Sequence, residues 1–409
     1  MTFARETTAA VSPLALAPFR RIVAARALTG VAFQMQAVAI GWQLYLLTGN
    51  ALDLGLVGLA QFGPMFLLTL PAGQLADRID RRRIIATCQT IGALTALALA
   101  ICSATGSLDR TLLFSLVVIA GAARAFEFPA MNATLPLCVP REALGRATAL
   151  YSSANQTATI LGPALGGLVY ARFGPVAVYI TDALLLLVAA ALVIGLVIDS
   201  GERRREPVTL ATVFAGVGFI RGQPVILGCI ALDLFAVLLG STTALLPVFA
   251  RDVLHTDASG LGLLRAAPAA GALGLSLVLA RTSINRHAGR ALFGAVAGFG
   301  LATVVFGLSG NLYLSLAALA VLGAADVVSV VIRLSLVQLR TPDDMRGRVS
   351  AVNALFIQSS NQLGDFRAGL AASAFGAVPA VVLGGLSAIA VAGLWMALFP
   401  QLRRLQKLS

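Results

Sequence analysis

Long apolar runs separated by short polar joints set the pattern of this chain. Twelve runs can be laid out, at 22–47, 53–76, 83–106, 111–135, 146–171, 174–198, 224–250, 258–281, 290–309, 312–337, 348–372 and 377–400. About 20 apolar residues in a helix cross a bilayer, so every run is long enough to span. In hydrocarbon only helices and closed barrels satisfy their own backbone groups. Barrel strands read as short alternating segments, whereas these runs are continuous. The pattern predicts an all-α polytopic membrane protein with twelve transmembrane helices.

Composition agrees. The chain is 58% hydrophobic and 12% charged, half the charge of a typical soluble domain. A net charge of +12 suggests nucleic-acid binding at first sight, but the basic residues are spread over the joints, so no nucleic-acid partner is expected. Cys88, Cys102, Cys138 and Cys229 have no metal-ligand spacing. No metal or cofactor is expected, and no cleavable signal peptide is expected before the first run.

The joints set an orientation. Arg78, Arg81, Arg82 and Arg83 crowd one of them, and alternate joints carry Arg141 and Arg146, Arg203 to Arg205, Arg281, Arg286 and Arg290, Arg346 and Arg348, and Arg403 and Arg404. The intervening joints hold only Arg110, Arg172 and Arg251. Basic joints face the cytoplasm, so both termini are expected there, in a bacterial cytoplasmic membrane.

The longest hydrophilic stretch divides the helices six and six. The expected units are 1–198, a cytoplasmic linker at 199–223, and 224–409. The halves repeat: VPREALGRATAL (139–150) meets TPDDMRGRVSAV (341–352) without a gap, and Phe173-Gly174 then falls on Phe375-Gly376. Internal repeats of this kind mark secondary transporters, whose site lies near mid-membrane between the halves.

The joint GQLADRIDRRR (73–83) resembles the loop between helices 2 and 3 of the major facilitator superfamily. Together with AVAIGWQLYLLTG (37–49), MNATLPLCVPREALGRATAL (131–150), GPALGGL (162–168) and QLRTPDDMRGRVSAVNALF (338–356), it is most similar to the branch containing enterobactin exporters. The resemblance implies a conformational latch at Gly73, Asp77, Arg78 and Arg81, with Asp77 facing the positive N-terminus of helix 11. Gly162, Pro163, Gly166 and Gly167 resemble the end of an antiporter motif, although Ala158 replaces its upstream glycine.

Charges inside a bilayer are costly and mark functional sites. Arg124 and Glu127 stand one helical turn apart near the middle of helix 4, and Arg124 occupies the position of the superfamily's helix 4 arginine. Asp326 is the repeat counterpart of Arg124, and Asp233 lies mid-depth on helix 7. Burial favours a neutral carboxyl and a nearby Arg the charged one, so an acid beside a movable Arg can switch. Glu127 is the first candidate for proton coupling, then Asp233, then Asp326. Gln34, Gln36, Gln43, Asn155, Gln156, Arg333, Gln358, Asp365 and Arg367 are candidates for a substrate cavity. Each has a structural alternative, an interhelical hydrogen bond or ion pair.

The expected function is proton-coupled efflux of a small amphiphilic molecule, a siderophore or a drug, by a monomer in the lipid bilayer. A facilitator or importer on the same scaffold, or a receptor that no longer transports, are the alternatives. No nucleophile–base pair or phosphate loop suggests an enzyme.

Overall fold

The computed structural model describes residues 12–197, 210–281 and 287–406. The main helices are α1 (Ala17–Thr48), α2 (Ala51–Arg78), α3 (Arg81–Thr105), α4 (Arg110–Thr134), α5 (Leu144–Ile194), α6 (Leu210–Arg221), α7 (Pro224–Gly240), α8 (Ala258–Leu279), α9 (Ala288–Leu308), α10 (Leu312–Arg340), α11 (Asp343–Phe375) and α12 (Ala377–Leu398). The described residues form no strand.

Among the described residues, ten helical stretches are long and apolar enough to cross a membrane. Two features bring the crossings to twelve. The first is α5, whose 51 residues would extend far beyond a bilayer at about 1.5 Å per residue. It reverses at Gly174, where φ 78° and ψ 179° is a conformation open almost only to glycine. Ala158 lies against Gly30 and Gly166 against Met35 on α1, while Tyr179 reaches Gln43 and Gly195 returns to Arg21. The two arms of α5 therefore run antiparallel along α1. The second feature is α11, 33 residues long, whose charged and amide residues lower its hydropathy. Gly376, the repeat counterpart of Gly174, has φ 91° and ψ 159° and starts the next reversal.

Polar caps trim the ends. Asp80 accepts from the Arg82 backbone N–H, Asp109 from that of Leu112, and Asp257 from those of Ser259 and Gly260. Each satisfies N–H groups that a helix start leaves open.

Buried residues divide unequally along the membrane normal. At the end opposite the arginine joints, one cluster runs through both halves, from Met35 and Tyr179 to Phe249, Phe306 and Ala368. At the basic end the clusters belong to single halves: Phe19, Ile85 and Val193 in one, Leu232 with Phe293 and Ile226 with Val349 in the other. Among the described residues, the halves thus share a buried cluster only at the end opposite the arginine joints. α6 packs on α11, with Gly216 under the Arg348 carbonyl, so this helix is attached to the second half. Large apolar side chains such as Leu67, Phe173 and Leu277 face outward, as lipid-facing residues do.

Candidate functional site

Glycine makes the junction of the halves possible. A Cβ on Gly369 of α11 would stand 3.0 Å from the Gly55 Cα and 2.8 Å from the Ala51 carbonyl oxygen of α2. A Cβ on Gly167 of α5 would stand 3.0 Å from the Gly262 Cα of α8 and closer still to the Ala258 carbonyl. The two crossings are counterparts under the internal repeat. Small residues of this kind let backbones approach without side-chain spacers. Tyr45 adds a polar tie across the same end, donating its hydroxyl to the Asp252 carboxylate.

Below this junction lies a cavity of about 220 Å³, lined by α1 to α5 and by Gln358 and Gln362 of α11. Gln36, Gln89, Arg124, Glu127 and Asp182 also line it. Glu127 is 8% exposed and accepts from Gln89 Nε2 at 3.1 Å, and the same nitrogen lies 3.0 Å from Thr29 Oγ1. Arg124 stacks its guanidinium on the Phe33 ring, 3.5 Å from the centroid. No direct ion pair joins Arg124 to Glu127 among the described residues. Arg26 sits 5.5 Å from the Phe128 ring and 5.7 Å from Tyr151. Cation–π contacts hold a guanidinium without supplying a counter-ion.

In the second half, Arg333 donates to Asp233, and both are buried. Asp326 lines a small neighbouring cavity with Asp233, Phe299 and Ser329. Thus Arg333 is held by an acid of its own half. Nearer the joined end, Ser241 Oγ donates to Asp365 at 2.5 Å, and Arg367 donates to the Ser241 carbonyl at 3.4 Å.

The remaining sequence candidates are distributed. Gln34 packs its Cβ against Gly162, and Gly166 lies on Met35. The GPALGG segment therefore has two faces, one against α1 and one, Gly167, crossing to α8. Gln43 accepts from Tyr179 at 2.8 Å and donates to Ser103 at 3.0 Å. Gln156 reaches across the halves to the Ala269 carbonyl at 3.5 Å. Asn155 is half-buried, and its carbonyl accepts from Thr159.

The arginine joint is tied to helix ends. Arg82 donates to the Leu196 carbonyl at 2.7 Å, Arg81 to that of Ala133 at 3.3 Å, and Arg21 to that of Gly195. Cations at helix C-termini satisfy open carbonyls and oppose the dipole. Asp80 pairs with Arg82 at 2.7 Å, and hydrogen bonds from Arg82 hold its carboxyl below the usual carboxylate range. Hydrogen bonds from Ser259 do the same for Asp257. Gly73, Asp77 and Arg78 belong to α2, but their side chains, and with them the expected latch, lie outside the described residues.

Gln89, Thr29, Phe33 and Gln362 also line the cavity and were not among the residues expected from the sequence. A signal existed for one of them: Gln358 and Gln362 are a turn apart, so both fall on one helix face. Nothing in the sequence marks Phe33 or Gln89 among so many apolar and amide residues.

The family described as transmembrane secretion effector matches residues 8–408. An enterobactin exporter of Shigella boydii is 26% identical over 373 residues, 91% of this chain and 85% of that protein. One from Escherichia coli is 25% identical over the same shares. Among solved structures, the nucleoside transporter NupG has a TM-score of 0.71 at 14% identity, covering 93% of this chain and 99% of its own. A bacterial homologue of the iron transporter ferroportin in its inward-facing state has a TM-score of 0.70 at 16% identity, covering 95% and 99%.

Proposed function

We propose that this chain, which belongs to the transmembrane secretion effector family of the major facilitator superfamily, exports a small amphiphilic molecule in exchange for protons. Membership makes it a multi-pass membrane transporter. The direction, the coupling ion and the cargo class are our reading, as are a cytoplasmic location of both termini, division into six-helix halves at 199–223, a monomeric state and the absence of catalysis.

One observation carries the coupling. Glu127 is a buried acid in a cavity, bonded to the neutral amide of Gln89, with the Arg124 guanidinium close by but stacked on Phe33. A carboxyl with a charged neighbour that it does not yet hold can take or release a proton when that neighbour moves. Asp233, by contrast, is engaged by Arg333, which supports Glu127 ahead of it. The joined end and the separate clusters at the basic end support alternating access. With the basic joints in the cytoplasm, this conformation is closed outward. The relatives named as enterobactin exporters support export and a siderophore-like cargo.

The test is transport in inside-out vesicles with an imposed proton gradient, using a panel of siderophores and amphiphilic drugs. Accumulation that collapses with a protonophore is expected. Equilibration without accumulation would favour a facilitator, and no flux of any compound would favour a non-transporting receptor.

A further inference from the structure

We propose that Asp182 forms an organic-cation subsite in the cavity of the first half, holding an ammonium group of the cargo. This deepens the export reading and rests on it.

Asp182 stands on the second arm of α5, one turn before Leu186, and lines the same cavity as Arg124 and Glu127. It is 1% exposed, and neither carboxylate oxygen has a hydrogen-bond partner. Glu127 has Gln89; Asp182 has no such neighbour. The lining residues include two carboxylates, Glu127 and Asp182, and one guanidinium, that of Arg124. A buried carboxylate left without a partner is unfavourable. A cation that enters with the cargo would remove that penalty.

The surroundings suit an organic cation. Phe33 and Phe128 already carry guanidiniums on their faces, so rings in this region take positive charge. Phe62 lines the same cavity. An anion combined with aromatic faces is the usual recognition chemistry for substituted ammonium groups. A space of about 220 Å³ is smaller than a drug-sized pocket and fits a compact ammonium end with its alkyl substituents. The subsite therefore reads one end of the cargo.

The test uses the full chain purified in detergent and radiolabelled tetraethylammonium as the probe. Wild type should bind it saturably. Asp182→Asn should bind at least about tenfold more weakly, and Asp182→Glu should recover most of the loss. A second measurement requires no variant: tetraethylammonium should slow modification of Asp182 by a hydrophobic carbodiimide, followed by mass spectrometry. Absence of saturable binding, equal binding by wild type and Asp182→Asn, or unslowed modification would each overturn the subsite. Binding is read without transport. A vesicle experiment that shows no export would leave these results intact, and their failure would leave export intact.

Discussion

Gly55 and Gly369 meet with their backbones in contact: a Cβ on Gly369 would stand 3.0 Å from the Gly55 Cα. Gly167 and Gly262 repeat the arrangement between α5 and α8. Overpacking such a contact costs roughly 1–3 kcal/mol, enough to change a two-state ratio about fivefold or more. Gly55→Val or Gly262→Val should therefore open the joined end. A cysteine at exposed Ser373, beside it, should then react faster with a hydrophilic maleimide. Unchanged reactivity would show that the crossings do not govern closure.

Glu127→Gln should mimic a permanently protonated carrier. Exchange of cargo for cargo is expected to persist, while accumulation driven by a proton gradient is lost. Asp233→Asn is the comparison. If the Glu127 variant pumps normally and the Asp233 variant does not, the proton site is on α7.

Asp233 and Arg333 form a buried ion pair. Removing one partner of such a pair leaves an unpaired charge and typically costs about 3–5 kcal/mol. Arg333→Met should lower the thermal transition strongly. The double variant Asp233→Leu with Arg333→Met should recover much of the loss. No recovery would mean that the pair is held for more than mutual compensation.

Asp80 caps α3 and pairs with Arg82, which holds its carboxyl low in the folded protein. Its stabilisation is then complete above the pKa of the unfolded chain and disappears as pH falls through the lower folded value. Asp80→Ala should cost roughly 0.5–2 kcal/mol at neutral pH. The difference from wild type should shrink on acidification below the usual carboxylate range. A gap that stays constant with pH would leave only an uncharged role for this residue.

Orientation is tested by labelling. His255 and Arg141 are both exposed, at opposite ends of the bundle. In intact cells an impermeant maleimide should label His255→Cys and miss Arg141→Cys. The reverse pattern would invert the topology.

The relation between sequence and structure differs from residue to residue. Crossing helices were legible because a bilayer leaves the backbone almost no other choice, so apolar length marks most spans, α11 with its charged and amide residues being the exception. The Phe-Gly repeat at 173–174 and 375–376 was legible too, and both glycines take the positive-φ, extended-ψ conformations that turn the chain back. Arg124 and Glu127 could be put on one helix face by their spacing, since helical periodicity is local. That Arg124 rests on Phe33, that Gln89 holds Glu127, and that Arg333 is taken by Asp233 could not be read the same way. Those partners come from other helices, and an apolar helix in an apolar solvent carries little pattern to say which face meets which neighbour. The sequence by itself determined the number of crossings, the internal repeat and the candidate charges. Only the tertiary structure decided which charges are satisfied, that the Asp182 carboxylate lacks a hydrogen-bond partner among the described residues, and where the described residues join the halves. Such pairings depend on how the helices pack, and packing is settled by contacts between residues far apart in the chain.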